Sequence, residues 1–144
     1  MGARCPWVGV APLALVAGVL AGCGGGGTHY SLPATKACFV KRGYPAIVQT
    51  NRALPGSGGN LRVNLGPVYG MEQVFVVFGR DANEAKSVEN RAVDLAERTF
   101  AARKLVFPRS AVLAGVQVNG NVFYYSITGP ISEMVRNLIH ACLR

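Results

Sequence analysis

The sequence is poor in the side chains that carry most enzyme chemistry. Its 144 residues include two histidines and seven acidic residues, and five of the acidic residues fall within the segment 81–97. No serine lies in a Gly-x-Ser-x-Gly elbow, and no glycine run ends in the Gly-Lys-Ser/Thr of a phosphate-binding loop. Catalysis needs a nucleophile, a base and an orienting group, or paired carboxylates, in one place. The sequence therefore predicts a protein that is not an enzyme.

The main apolar run is too short to span a membrane. Trp7–Ala21 carries no charge, but it falls short of the roughly 20 apolar residues that a spanning helix needs, and Pro12 and Gly18 interrupt it. A basic start at Arg4, a short apolar core and small residues before a cut site are typical of an exported signal segment.

The run ends on Leu20-Ala21-Gly22-Cys23, which resembles the lipobox of bacterial lipoproteins. The resemblance implies cleavage before Cys23, whose thiol is joined to diacylglycerol, and two or three acyl chains anchor a domain durably. We expect residues 1–22 to be a signal peptide that is removed, and residues 23–34, with the Gly24–Gly27 run, to be a lipid-anchored tether. The alternative is an ordinary secretory signal that ends in a cysteine. The domain is then exported and lies on the non-cytoplasmic side of the cell membrane or outer envelope.

Two cysteines remain for the folded domain. Cys5 is removed with the signal and Cys23 takes the lipid, which leaves Cys38 and Cys142 near the two ends of the domain. In an oxidising compartment such a pair predicts one disulfide, and two buried free thiols are the alternative. A structural zinc site needs about four ligands, and His29 lies in the tether, so we expect no metal and no cofactor.

The domain, residues 35–144, is predicted to follow the order α-β-β-β-α-β-β-α. Val74–Phe78 is apolar without alternation, which predicts a central strand with both faces buried. A capping box, Asp81 with Glu84, begins a helix that runs to about Lys104. This order lacks βαβ repetition and favours an α+β fold, a single two-layer domain with a mainly antiparallel sheet and the helices packed on one face. The long helix carries one apolar stripe: Ala85, Val88, Ala92, Leu95, Ala96 and Phe100.

Caps and turns set the remaining boundaries. Ser31 or Thr35 caps a first helix that Gly43 ends. Asn119-Gly120 is the predicted two-residue turn of a hairpin whose strands are 112–118 and 121–127. Pro130 takes the first position of the last helix. The apolar stripe of that helix should face the core: Ile131, Met134, Val135, Leu138, Ile139 and Cys142.

The net charge of +8 does not indicate a nucleic-acid partner. The basic residues are scattered, and no aromatic side chains are interleaved with them in a stacking pattern. Outside a cell the nearby anions are lipid headgroups and envelope polymers. We therefore expect a solvated basic surface close to an anionic membrane and no nucleic-acid binding.

The densest aromatic patch is Phe123-Tyr124-Tyr125. Neighbouring residues on a strand alternate between faces, so either Tyr124 or Tyr125 should point away from the helices and offer a binding surface. A tyrosine on an ordinary wet sheet face is the alternative. The sequence thus predicts a lipid-anchored envelope lipoprotein that binds an envelope protein or an anionic polymer without catalysis. An enzyme with an unrecognised site and a purely structural cell-surface domain stay open, and the sequence does not determine the oligomeric state.

Overall fold

A computed structural model describes residues 28–66, 73–104, 109–127 and 129–144. The signal peptide, Cys23 and the glycine run at 24–27 lie outside the described residues. Apart from one additional short helix, the elements follow the predicted order. They are α1 (Leu32–Lys41), β1 (Ala46–Gln49), β2 (Gly59–Asn64), β3 (Gln73–Phe78), α2 (Ala82–Ala102), α3 (Arg109–Ala114), β4 (Val116–Asn119), β5 (Val122–Ser126) and α4 (Glu133–Cys142).

The strands form one antiparallel sheet in the order β1-β2-β3-β5-β4. β3 is the central strand, as its apolar run predicted, and Val76 pairs with Leu61 on one side and with Tyr124 on the other. Both β3 and β4 run antiparallel to β5, so they share a direction, and α2 with α3 connects them across β5. The predicted α+β class with an antiparallel sheet is confirmed.

The helices cover both faces of the sheet, so the prediction of two layers with all helices on one face is wrong. α1 and α4 pack on one face, which we call face A, while α2 and α3 pack on the other, face B. The cause is the apolar run in β3. Val76 points to face A and Val77 to face B, so helices have to bury both faces of this strand. The buried residues of face A include Phe39, Leu61, Val63, Val74, Val76, Phe78, Val122, Tyr124, Val135, Ile139 and Cys142. Those of face B are Leu54, Val77, Ala85, Val88, Ala92, Val93, Val116 and Phe123.

The folded domain begins before residue 35. Ser31 is the N-cap of α1, and its hydroxyl accepts from the amide of Ala34. The amide of Tyr30 donates to Oδ1 of Asn121 over 2.6 Å, and the amide of Ser31 donates to the carbonyl of Arg144 over 2.5 Å. Residues 28–34, predicted as tether, therefore belong to the domain. Gly43 ends α1 with a φ of +85°, as predicted.

The turn between β4 and β5 is shifted by one residue from the predicted Asn119-Gly120. Asn119 pairs with Val122, so the two loop residues are Gly120 and Asn121. Gly120 has a φ of +56° and Asn121 does not have a positive φ, a pattern that fits a type II′ turn with glycine first. The side chain of Asn121 is buried, and its Nδ2 donates to the carbonyls of Tyr30 and Gly79.

Two boundaries in the C-terminal third differ from the sequence prediction. The predicted strand 112–118 is a helix in its first part, because α3 runs to Ala114 and β4 starts at Val116. α4 starts at Glu133 with Ser132 as its N-cap, and not at Pro130. The predicted stripe of α4 faces the core except for Met134, which is 63% exposed.

The predicted cysteine pair is joined. The Cα atoms of Cys38 and Cys142 lie 5.3 Å apart, inside the range for a disulfide, and the bridge spans 104 residues of sequence. It links α1 to α4 on face A. Among the described residues, no helix combines the length and apolar composition needed to cross a bilayer.

The N-terminus of α2 is held by Glu84. Asp81 caps the helix by accepting from the Glu84 amide, as predicted, but the Glu84 carboxylate accepts from the amide of Arg80, one residue earlier than in a capping box. The same carboxylate accepts from the hydroxyl and the amide of Ser57, in the loop before β2. These bonds, led by the Ser57 hydroxyl, lower the pKa of Glu84 from 4.5 to about 2.

Glu84→Gln is expected to lower the free energy of unfolding by about 0.5–1 kcal/mol at pH 7, a modest loss because the carboxylate lies near the surface. A depressed pKa stabilises the fold above pH 4.5, and that contribution is lost as the pH falls towards 2. The difference between parent and variant in urea unfolding should therefore shrink between pH 5 and pH 2. Asp94→Asn, an exposed change on the same helix, is the control. A difference that stays constant with pH would contradict this account.

Candidate functional site

Of the two tyrosines that the sequence offers for a binding surface, Tyr124 is the one that points into the core. It is fully buried on face A, and its hydroxyl is hydrogen-bonded to Nε2 of His140 over 2.8 Å. Burial raises the pKa of Tyr124 to about 12. The phenol therefore stays protonated in the fold and serves as a core side chain whose hydroxyl is satisfied by His140.

Tyr125 lies on face B and is half-buried. Its ring stacks on Phe75 at 5.0 Å and on Phe123 at 5.4 Å between centroids. Its hydroxyl accepts from Nδ2 of Asn51 over 3.0 Å, and Oδ1 of Asn51 accepts from the amides of Ala53 and Leu54. The loop after β1 is thus folded across face B and fixed to the tyrosine.

An apolar cleft lies beside Tyr125, between the loop after β1, the C-terminal half of α2, and α3. We call it the α2–α3 cleft. Its volume is about 660 Å³, within the size range of small-molecule sites. It is lined by Asn51, Ala53, Leu54, Ala92, Leu95, Ala96, Thr99, Phe100, Ala111, Val112, Gly115, Val116, Tyr125, Ser126, Ile127, Gly129 and Pro130.

The geometry of α2 explains why this cleft exists. A helix of 21 residues is about 31 Å long, whereas the five residues of β5 extend only about 17 Å. The first half of the apolar stripe therefore packs on the sheet, and the second half extends past it. Leu95, in that second half, is 44% exposed. The stripe that the sequence predicted is present, but only part of it is buried.

The lining holds no acidic, basic or histidine side chain. Of its polar groups, the hydroxyl of Thr99 donates to the carbonyl of Leu95 within α2, and the Asn51 side chain is occupied by the contacts described above. The phenol of Tyr125 differs from these. Burial raises its pKa, so it keeps its proton, and this proton has no acceptor among the described residues.

Positive charge lies close to the polar end of the cleft. Arg62 pairs across the sheet with Phe75, whose ring stacks on Tyr125. Its Nε atom is buried and has no hydrogen-bond partner within the described part of the chain. Arg52, which is exposed, stands between the lining residues Asn51 and Ala53.

Other polar side chains of the described residues lie away from the cleft or already have hydrogen-bond partners. A second, more open hollow of about 420 Å³ is lined in part by His29 and Ser57, but the Ser57 hydroxyl already donates to Glu84. His140 is paired with Tyr124 and does not line the cleft, nor does Glu133. No group of three or more histidine, cysteine, aspartate or glutamate side chains is placed to hold a metal ion in these parts of the chain.

Comparison with known proteins gives no indication of function, so the functional inference rests on the residues of this chain. No protein-family model, curated protein or solved structure matches this chain. The predicted lipidation site at Cys23 lies outside the described residues. The disulfide residues Cys38 and Cys142 lie on face A, on the other side of the sheet from the cleft.

Sequence reasoning missed Asn51 and the loop that carries it. Asparagine in a polar loop indicates a turn, and its side chain does bond to amides two and three residues ahead. The local sequence pattern does not predict the hydrogen bond of Asn51 to Tyr125, which lies 74 residues away in the sequence. The available signal was the excess length of the apolar stripe on α2 over the strands beneath it.

Proposed function

We propose that this protein is a lipid-anchored envelope lipoprotein whose domain lies on the non-cytoplasmic side and binds a partner without catalysing a reaction. The observation that carries the binding role is the α2–α3 cleft. It is large enough for a ligand, apolar along most of its length, and free of acid, base and nucleophile pairs.

Exposed apolar surface at the cleft has an energetic cost that supports a binding role. Each Å² of apolar area left in water forgoes about 25 cal/mol of stabilisation. A few single exposed residues are ordinary on any surface, whereas a concave apolar set with a few convergent polar groups is typical of ligand sites. Leu95, Phe100 and Val112 form such a set beside Tyr125.

The anchor rests on the lipobox-like residues Leu20–Cys23. The disulfide of the domain agrees with an oxidising compartment, where such bridges persist. The basic net charge suits a location close to anionic lipids or polymers. The membrane is then one partner, through the lipid on Cys23, and an envelope protein, an anionic polymer or a smaller ligand is the other.

Site-specific photo-crosslinking in intact cells tests the binding role. Thr99 is exposed and lines the cleft, whereas Ala101 is exposed on the same helix outside it. Replacing Thr99 with benzoylphenylalanine should give a defined adduct on irradiation, and the same replacement at Ala101 should give none. Intact mass then shows whether the adduct is a protein or a small molecule. Absence of any adduct at Thr99, or equal adducts at both positions, would contradict a binding role for the cleft.

Cys23→Ser is expected to abolish lipidation and leave a precursor that keeps residues 1–22, because the resemblance makes this thiol the acceptor of diacylglycerol. The measurement is the intact mass of the protein recovered from the membrane fraction. Cys5→Ser is the matched control, since Cys5 lies inside the predicted signal peptide and should be removed normally. A Cys23→Ser protein that is cleaved and anchored like the parent would overturn the assignment.

A further inference from the structure

We propose that the α2–α3 cleft holds one long-chain fatty acid, with its tail along α2 and α3 and its carboxylate towards Tyr125 and Arg62. This inference rests on the proposed binding function and names its ligand class. It follows from three features: an apolar trough, the phenol proton of Tyr125, which has no acceptor among the described residues, and the buried Nε atom of Arg62, which has no hydrogen-bond partner there.

The trough suits a tail made only of methylene groups. Leu95, Ala96 and Phe100 present carbon atoms along about two turns of α2, and Val112 faces them from α3. The hydroxyl of Thr99 donates to the carbonyl of Leu95 within α2, so it needs no polar partner on a ligand. Each methylene that leaves water for such a surface contributes about 0.8 kcal/mol, which favours a long chain.

The polar end of the cleft suits an anion. The Tyr125 hydroxyl can donate its proton to a carboxylate, and hydrogen bonds to charged acceptors are the stronger kind. Arg62 and Tyr125 lie in one cross-strand row with Phe75 between them, so their Cα atoms are about 10 Å apart, within reach of both long side chains. The buried Nε atom of Arg62 has no hydrogen-bond partner in the described part of the chain, and a ligand carboxylate would supply the missing acceptor.

A free fatty acid, and not the lipid of the anchor, is the proposed occupant. The acyl chains of a diacylglycerol are esters and offer no carboxylate to Tyr125 and Arg62, whereas a free fatty acid does. The carbonyl of Thr28 accepts from the amide of Asn121, so the chain enters the domain four residues before Tyr125, roughly 13 Å along β5.

Photo-labelling with a palmitic-acid analogue that carries a diazirine on its chain tests this assignment. The full chain, purified after processing and placed in phosphatidylcholine vesicles, is irradiated with the probe and mapped by peptide mass. Adducts should concentrate in peptides covering residues 92–100 and 109–114. Unlabelled palmitate should remove them, and hexadecanol, which has the same tail without the acid, should compete about tenfold less well.

Two variants and one control test whether the labelling is specific to the cleft. Ala96→Trp fills the trough and should lower labelling about tenfold, whereas Ala101→Trp, on the exposed side of the same helix, should leave it unchanged. Arg62→Gln should lower labelling by palmitate about five- to tenfold and leave labelling by a diazirine hexadecanol unchanged. Circular dichroism melting of each variant verifies that the domain is folded.

The outcomes separate this inference from the function on which it rests. Labelling that is spread over the chain, confined to the tether, or unaffected by Ala96→Trp overturns the fatty-acid site. Equal competition by hexadecanol overturns the carboxylate assignment. If the Thr99 crosslinker captures a protein while the fatty-acid probe labels nothing in the cleft, the binding function stands and the ligand class is wrong. If both experiments fail at the cleft, the binding function fails as well.

Discussion

Replacing Cys38 and Cys142 together with alanine is expected to lower the free energy of unfolding by about 2–5 kcal/mol. The bridge closes a loop of 104 residues, for which the chain-entropy model gives roughly 4.7 kcal/mol. Small domains are stable by only about 5–15 kcal/mol, so the loss is a large fraction of the total. Guanidinium unfolding followed by circular dichroism measures it, with the slope of the transition fitted separately for each protein.

Reductant supplies the control for this prediction. Dithiothreitol should lower the unfolding midpoint of the parent towards that of the double alanine variant, and it should leave the variant unchanged. Two thiols that react with an alkylating agent in the untreated, exported protein would contradict the bridge. A double variant as stable as the parent would show that the bridge contributes little to stability.

Phe39→Ala is expected to cost about 3–5 kcal/mol, the usual range for removing a fully buried aromatic ring. Phe39 is completely inaccessible to solvent, and together with Thr35 it is one of only two buried residues on α1. The ring is therefore the largest buried side chain that α1 contributes to the core of face A. Val40→Ala is the matched control on the next position, because Val40 is 54% exposed and should change stability by less than about 0.5 kcal/mol.

The two perturbations should also be coupled. Phe39 and Cys38 both hold α1, and residues that share a structural role give non-additive effects in a double-mutant cycle. With the bridge intact, α1 stays covalently attached to α4 when the ring is removed. We therefore expect Phe39→Ala to cost a different amount in the bridged and unbridged backgrounds, by more than about 0.5 kcal/mol. Strict additivity would indicate that α1 is held by other contacts.

Local patterns predicted the elements well, because the signals that carried them act over a few residues. The Asp81 cap, the Gly43 terminator and the apolar run of β3 each depend on chain neighbours, and the structure has all three. The turn at Gly120 was displaced by one residue, since asparagine and glycine suit several turn types and the register depends on pairing with Val122.

The prediction of two layers was wrong for a different reason. One apolar stripe on each helix is compatible with helices on either face, so the stripes alone do not decide between two layers and three. The decisive signal was the unbroken apolar run of Val74–Phe78, which predicts burial on both sides and was at odds with a sheet covered on one face. In the structure that run has α4 on face A and α2 on face B.

The candidate site was predicted only in part because it is assembled from distant segments. The sequence singles out Tyr124 and Tyr125 as alternatives for a binding surface, and Tyr125 lines the cleft. Because neighbours alternate along β5, Tyr124 lies in the core against His140. Asn51 and Arg62 carry no local pattern that distinguishes them from other loop or strand residues.

The bridge between α1 and α4 also decides how the domain responds to tension. If the domain is tethered as proposed and a partner pulls on the cleft, force enters the chain at Thr28 and acts first on the hydrogen bonds of Thr28 and Tyr30 with Asn121. The next residues can extend only as far as Cys38, because from there the load divides between the backbone and the covalent link to Cys142. The last turn of α1, from Cys38, cannot separate from α4. A moderate force therefore extends only the short segment of chain that precedes the bridge, residues 28–37.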